Sequence, residues 1–398
     1  MNDNILNKPL TLLLILLAFS LPLSITLSET FYALAFFVWL IKVVSQNKKS
    51  LRYTRLEIPI LVLAIVYISA ICFSPFPLES ARILKKLILF GLFFLLANGL
   101  DSEVEKRRLI NIWLVGVIIA SVWTVIEYFR GVNRPGGFFG CITFGYLAPM
   151  FLCVSLSLIG LKGYKRTSIL SVLAFAAGVI ALIFTFTRGA WIGFVTGLGL
   201  FFIIKRKWFS LATSTAALVL IGLTLSIYFP NSEPGIAVRS LLRPFDERVP
   251  RVVGSNLRRW YKWKASWEMF KEHPFLGIGP YQFREELPNY LSEEVKAEVF
   301  EHQSYSTAHS IYFDYLATMG IIGFLGLLFF LFAAFRLLVL KYKTCNPGFD
   351  KALALGVLIA FASFCIGGLT HQSFHDSEIL LNLCFLLGAV LQARGTER

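Results

Sequence analysis

Arg188 stands at Thr187-Arg188-Gly189, in the middle of an apolar run from Thr167 to Ile204 that is flanked by Lys165-Arg166 and Lys205-Arg206-Lys207. A guanidinium carries its donors in a planar fork that matches phosphate oxygens two at a time. An ionisable group at membrane depth is a functional candidate by default; the plainer reading is an arginine reaching lipid phosphates. Gly189 beside it permits close backbone approach. Arg82, Lys85 and Lys86 share one helical face by spacing, as a phosphate-binding edge or as contacts to lipid headgroups. His309, in Ala308-His309-Ser310-Ile311-Tyr312, has an imidazole whose ordinary pKa of about 6.5 permits proton exchange at neutral pH. His371, His375 and Asp376 crowd one short connection. Their His-x-x-x-His spacing could hold zinc in principle, but one carboxylate and no third ligand nearby argue against a metal site.

These residues need elements to position them, and the composition says which. The chain is 56% hydrophobic and only 16% charged, against about 25% charged in soluble domains. Apolar runs occur near 9–27, 30–45, 58–74, 83–100, 109–129, 143–161, 167–187, 189–204, 208–229, 311–340, 352–370 and 377–393. A bilayer core needs roughly 20 apolar residues per helix, so an all-α polytopic membrane protein with about twelve transmembrane helices is expected. The first run follows Lys8 but lacks a small-residue cleavage site, and reads as a retained span. Lys and Arg gather in cytoplasmic loops. Placing both termini inside puts Lys42, Lys106, Arg107, Lys165, Lys205, Lys341 and their neighbours there, and these segments account for the whole net charge of +14. The basic balance is therefore a topology signal, and nucleic acid is not an expected partner. The same orientation makes 167–204 a hairpin with Arg188 at its outer tip. Residues 1–229 form helices one to nine, 230–308 a mainly helical outer segment, and 309–398 helices ten to twelve. The six cysteines lie mostly in apolar runs, without a Cys-x-x-Cys pair, and read as packing residues.

Within the outer segment, 230–254 is rich in Pro, Gly and Arg and reads as irregular. From about Ser255 the spacing is helical, with Trp260, Trp263, Trp267 and Phe270 on one side and Arg259, Lys262 and Glu268 largely elsewhere. The aromatic side lies on the outer leaflet or packs on the bundle. His273-Pro274 ends this helix, Gly277, Gly279 and Pro280 form a turn, and a second, acidic helix runs from about Tyr281 to Gln303, broken at Pro288.

Over nearly its whole length the chain resembles the O-antigen ligase family, which includes O-antigen polymerases and protein O-oligosaccharyltransferases. Thr187-Arg188-Gly189-Ala190-Trp191-Ile192-Gly193 is similar to the family's Ser-Arg-Gly hairpin tip. Arg259-x-x-x-Trp263-x-Ala265, continuing to Pro274-Phe275-Leu276-Gly277-Ile278-Gly279, resembles its outer-segment signature. His309-Ser310-x-Tyr312-x-x-x-Leu316-x-x-x-Gly320-Ile321-Ile322-Gly323 resembles its His-Asn motif. Ser310 stands where Asn is usual and Thr318 where Glu is common. The resemblance implies a membrane glycosyltransferase of the bacterial inner membrane, with its active site facing the periplasm. Its donor would be a glycan on undecaprenyl diphosphate and its acceptor a sugar hydroxyl of lipid A–core, and no metal or other cofactor would be needed.

The residues accommodate that chemistry. The acids of the short outer loops and span ends, Glu29, Glu79, Glu127, Asp314, Asp376 and Glu378, form no Asp-x-Asp pair. Preorganised cations can take the charge that builds on a departing diphosphate, at about 3–4 kcal/mol per group. Arg188 and Arg259 are the candidates, with Arg82 and Lys85 as outer helpers. His309 is the candidate base, a role typically worth about 10²–10⁴-fold, or else an orienting group. Tyr312 and Asp376 are further substrate-binding candidates. A single displacement would invert the anomeric configuration. The alternatives are a polymerase of lipid-linked repeat units, a protein O-oligosaccharyltransferase, whose longer C-terminal domain is missing, and a lipid or polysaccharide transporter, whose inverted repeats are not visible.

Overall fold

In a computed structural model, residues 3–45, 53–100, 102–228, 235, 236, 238, 250–300 and 306–392 are described. Of the irregular stretch expected over 230–254, residues 235, 236, 238 and 250–254 are described, and the last five are helical, so the helix starts at Pro250 and not near Ser255. The rest lies outside the described residues, as do Gln303 and the basic residues Lys48, Lys49, Arg52, Arg394 and Arg398. The described chain is helical throughout, and no strand occurs in it. Every apolar run contains a helix: α1 Asp3–Ser20, α2 Ile25–Ser45, α3 Glu57–Cys72, α4 Leu84–Gly99, α5 Glu103–Phe129, α6 Cys141–Leu158, α7 Lys165–Phe184, α8 Arg188–Ile204 and α9 Trp208–Tyr228 precede the outer segment. That segment contributes α10 Pro250–Glu272 and α11 Glu293–Phe300; α12 Ile311–Thr344, α13 Phe349–Gly367 and α14 Ser377–Val390 follow. Among the described residues, six helices are long and apolar enough to cross a bilayer by length and composition, and α1, α3, α8 and α14 contribute shorter apolar ones. The protein is an all-helical, polytopic membrane protein.

α13 and α14 are buried at nearly every position, as helices apolar all round must be at the centre of a bundle. α3, by contrast, leaves Leu61, Ile65 and Ile68 more than half exposed, a face suited to lipid. One buried amide ties three helices together. The Trp113 indole N–H donates to Asn382 Oδ1 at 2.9 Å, and Asn382 Nδ2 donates to the Leu21 carbonyl at 3.1 Å.

The sequence suggests an unbroken helix over 311–340, but α12 is interrupted at Gly320 (φ 60°, ψ −161°). The interruption leaves backbone groups open at a depth where they must be satisfied internally. The stretch 274–279 supplies the partners: Ile278 N donates to Ala317 O (3.0 Å), Gly279 N to Thr318 O (3.0 Å), and Ile321 N to Pro274 O (2.8 Å). Both sides need glycine. A Cβ on Gly277 would run into the 317–319 backbone, and one on Gly320 into Phe275. The Pro274–Gly279 and Gly320–Gly323 motifs are thus two halves of one contact.

The outer aromatics divide between the two roles that sequence left open. Trp263 stacks on Phe313 of α12 (5.5 Å, 13°), above a small core of Ala265, Met269, Ile278, Phe283, Leu287 and Ala317. Trp260 and Trp267 remain about half exposed. The acidic stretch breaks as expected, into a turn at Phe283–Glu286, a 3-10 turn Leu287–Tyr290 holding Pro288, and α11.

Candidate active site

Arg188 is the first residue of α8. Phe186 turns the chain with φ 51°, and the Thr187 hydroxyl donates to the Cys141 carbonyl at 2.9 Å, anchoring the tip to α6. The next residue has no room for a side chain: a Cβ on Gly189 would overlap the Tyr146 hydroxyl and Thr370 Oγ1, which bond each other at 2.8 Å. Only glycine lets α8 start this close to α6 and the 368–376 connection.

Two other elements bring cations to this tip. Arg259 of α10 and Arg134 of the loop after α5 lie within the electrostatic field of Arg188, and Arg188 and Arg259 both act on buried Tyr146. One helical turn after Arg259 sits Lys262, only 3% exposed. Burial first, then Arg259 and Arg258, push its amine down from the usual 10.5 to about 7. The sequence places Lys262 among polar positions off the aromatic face; the structure corrects this, because α10 lies against the bundle across more than its aromatic stripe.

Asp376 and the histidines form a second layer. His371 Nε2 lies 2.9 Å from Asp376 Oδ2, which also accepts from the Thr143 hydroxyl at 3.1 Å. Burial raises the affinity of Asp376 for its proton, but the His371 and Thr143 hydrogen bonds and the His375 ring outweigh it, leaving the carboxyl below its ordinary value. The His371 ring lies flat on Tyr146 (4.4 Å, 14°), so Asp376, His371 and Tyr146 brace one another directly beneath Gly189. His375 turns away, towards Asp314 (3.5 Å) and onto the Tyr281 ring (5.0 Å, 8°), and burial pushes its imidazole down. The two rings diverge. Among the described residues no three His, Cys, Asp or Glu side chains gather as a ligand set.

His309 occupies a left-handed backbone position (φ 54°) immediately before Ser310, whose hydroxyl caps α12 by accepting from Phe313 N. Fully buried Asp314 fastens this corner, accepting from Ala308 N at 3.1 Å and from Gln372 Nε2 at 2.6 Å; Ile311 N donates to the Gly368 carbonyl at 2.8 Å. The His309 corner and the His371–Asp376 connection are thereby joined.

The remaining candidates separate. Tyr312 spends its hydroxyl on the Cys365 carbonyl, 2.9 Å away, which fixes α12 to α13. Of the three cations on one predicted face, Lys86 is buried, donating to the His375 carbonyl (2.5 Å) and the Ser377 hydroxyl (3.2 Å). Lys85 is exposed and paired with Glu29 at 2.8 Å, and Arg82 is exposed near Tyr281. The three do not share one edge, because Lys86 is drawn into the bundle by the His375 carbonyl and Ser377 while Arg82 and Lys85 stay exposed.

An all-helical membrane protein that assembles arginines from separate elements at one end of its bundle is the class these features define. Residues 170–328 match the family described as O-antigen ligase, a stretch holding all three sequence motifs. No curated protein matches the chain.

Proposed function

We propose that the protein is an O-antigen ligase of the bacterial inner membrane, crossing it twelve times with both termini cytoplasmic and the Arg188 end facing the periplasm. It moves a glycan from undecaprenyl diphosphate to a sugar hydroxyl of lipid A–core. The observation that carries this reading is the convergence of Arg188, Arg259 and Arg134 from three different elements, with Arg188 and Arg259 both acting on Tyr146. Like charges repel, so such a cluster is stabilised by a polyanionic ligand, and a glycosyl diphosphate is one.

In the proposed reaction the acceptor oxygen attacks the anomeric carbon, forming one C–O bond as the bond to the diphosphate breaks. The bonding pair leaves with the diphosphate, whose growing charge Arg188 and Arg259 take up without a metal ion, on the order of 3–4 kcal/mol for each. His309 receives the acceptor proton, and attack from the opposite face inverts the anomeric centre. Arg82 and Lys85 meet the donor at the rim. Asp376 acts by holding His371, and Tyr312 by setting α12 beside the acceptor.

Purified protein incubated with lipid-linked glycan and lipid A–core should yield capped core. Chain growth on the carrier lipid without capping would make it a polymerase, and lipid movement without transfer a transporter. His309→Ala should lower turnover by about 10²–10⁴-fold while leaving donor binding intact; unchanged turnover removes the base assignment.

A further inference from the structure

At the opposite end of the bundle, the beginnings of α1 and α5 and the ends of α2 and α4 enclose a cavity of about 330 Å³. That is near the lower end of the usual range for small-molecule sites, roughly 300–1,000 Å³. Its floor includes Leu10, Leu14 and Leu109, each 4% exposed. Three charged side chains line it: Lys42 from α2, and Glu105 and Arg108 from α5. Glu105 is held in place, since its carboxylate and the Ser102 hydroxyl exchange hydrogen bonds with each other's backbone in a capping box.

Two cations and one fixed carboxylate over a leucine floor describe a ligand with a phosphate, a hydrogen-bonding cation and a hydrocarbon chain. Basic pockets between transmembrane helices bind lipid headgroups. Here Glu105 selects among them. A wholly anionic headgroup would bring like charge against it, and a free phosphate would leave the leucines unused. A choline headgroup has no N–H to donate. We propose that this cavity seats a glycerophospholipid with a primary ammonium, its phosphate on Lys42 and Arg108 and its ammonium on Glu105. The site is remote from the arginine cluster and independent of the transfer reaction.

The test uses the full-length protein in nanodiscs containing phosphatidylethanolamine, phosphatidylcholine or phosphatidylglycerol, with bound lipid counted by native mass spectrometry after detergent extraction. Wild type should retain phosphatidylethanolamine by about tenfold over the other two, the difference one charged hydrogen bond makes. Lys42→Ala with Arg108→Ala should abolish retention. Glu105→Gln keeps the cap, because Gln also serves at that position, and should erase the preference while leaving the fold intact; it decides the matter if the double variant does not fold. Equal retention of all three lipids by wild type, stronger retention of phosphatidylglycerol, unchanged preference in Glu105→Gln, or displacement of the lipid by inorganic phosphate alone would each overturn the proposal.

Discussion

Where α5 begins, Lys106 is 6% exposed and places its ammonium 2.7 and 2.8 Å from the two oxygens of Asp350. Next to it Arg107 reaches Glu103 at 3.4 Å, and Tyr164 donates to the same carboxylate. Beyond the other end of this 27-residue helix, about 40 Å away at 1.5 Å per residue, Arg134, Arg188, Arg259 and Lys262 crowd together. Asp376, in the layer beneath Gly189, is engaged by His371 and Thr143. At the start of α5 a buried cation meets a carboxylate, whereas around Arg188 cations from several elements lie close to one another. Pairing a buried cation with a carboxylate serves the fold, whereas gathering cations works against the fold and is sustained only where a binding partner recovers the cost. On the proposed function, structural and functional cations differ in their company, since the residue types are the same.

Arg188→Lys tests this contrast most severely. The charge survives but the planar fork is lost, and glycan transfer should fall by about 10²–10³-fold with normal membrane insertion. Wild-type rates would make the cluster structural, like the pair at the other end. Lys106→Ala should do the reverse. It leaves Asp350 half-buried without its cation, at about 1–3 kcal/mol of stability, seen as a lowered Tm, with transfer per folded molecule unchanged. A pH-dependent effect belongs to Lys262. Its folded pKa of about 7 lies below the usual 10.5, so the charged amine destabilises the fold below about pH 7, and that penalty fades as pH rises towards 10.5. Lys262→Met should therefore exceed wild type in Tm at pH 6 and approach it at pH 9; a constant difference would show that burial of the charge is not the cause. Lys85→Ala should change least, under about 1 kcal/mol for an exposed ion pair, measured again by thermal unfolding; a large loss would place Lys85 with the structural cations.

Much of this contrast is visible in the sequence. Arg188 stands out because a long apolar run with basic residues at both ends has to turn, and the turn carries a cation where orientation disfavours one. The helices are equally plain, since apolar length alone specifies them. Lys262 is hidden, because a lysine in an amphipathic helix reads as a solvated position until the helix is laid against its neighbour. Asp376 is legible as a residue of interest but not as the partner of His371, since both histidines lie within five residues of it and only the fold decides which one it meets. Arg82, Lys85 and Lys86 mislead for a related reason. Ideal helical spacing puts them together, and packing against the 375–377 stretch draws Lys86 away from the other two.

The join between 274–279 and the broken start of α12 bears on how the chain is assembled. The amide of Ile321 finds its acceptor at Pro274, across the whole acidic stretch that precedes α12. α12 therefore cannot complete its hydrogen bonding alone; it waits for the preceding segment to dock. The soluble-looking segment is not a module that can be excised or exchanged, and shortening it would leave amides of α12 without acceptors. For this part of the chain, docking of a loop is a step in the folding of a helix.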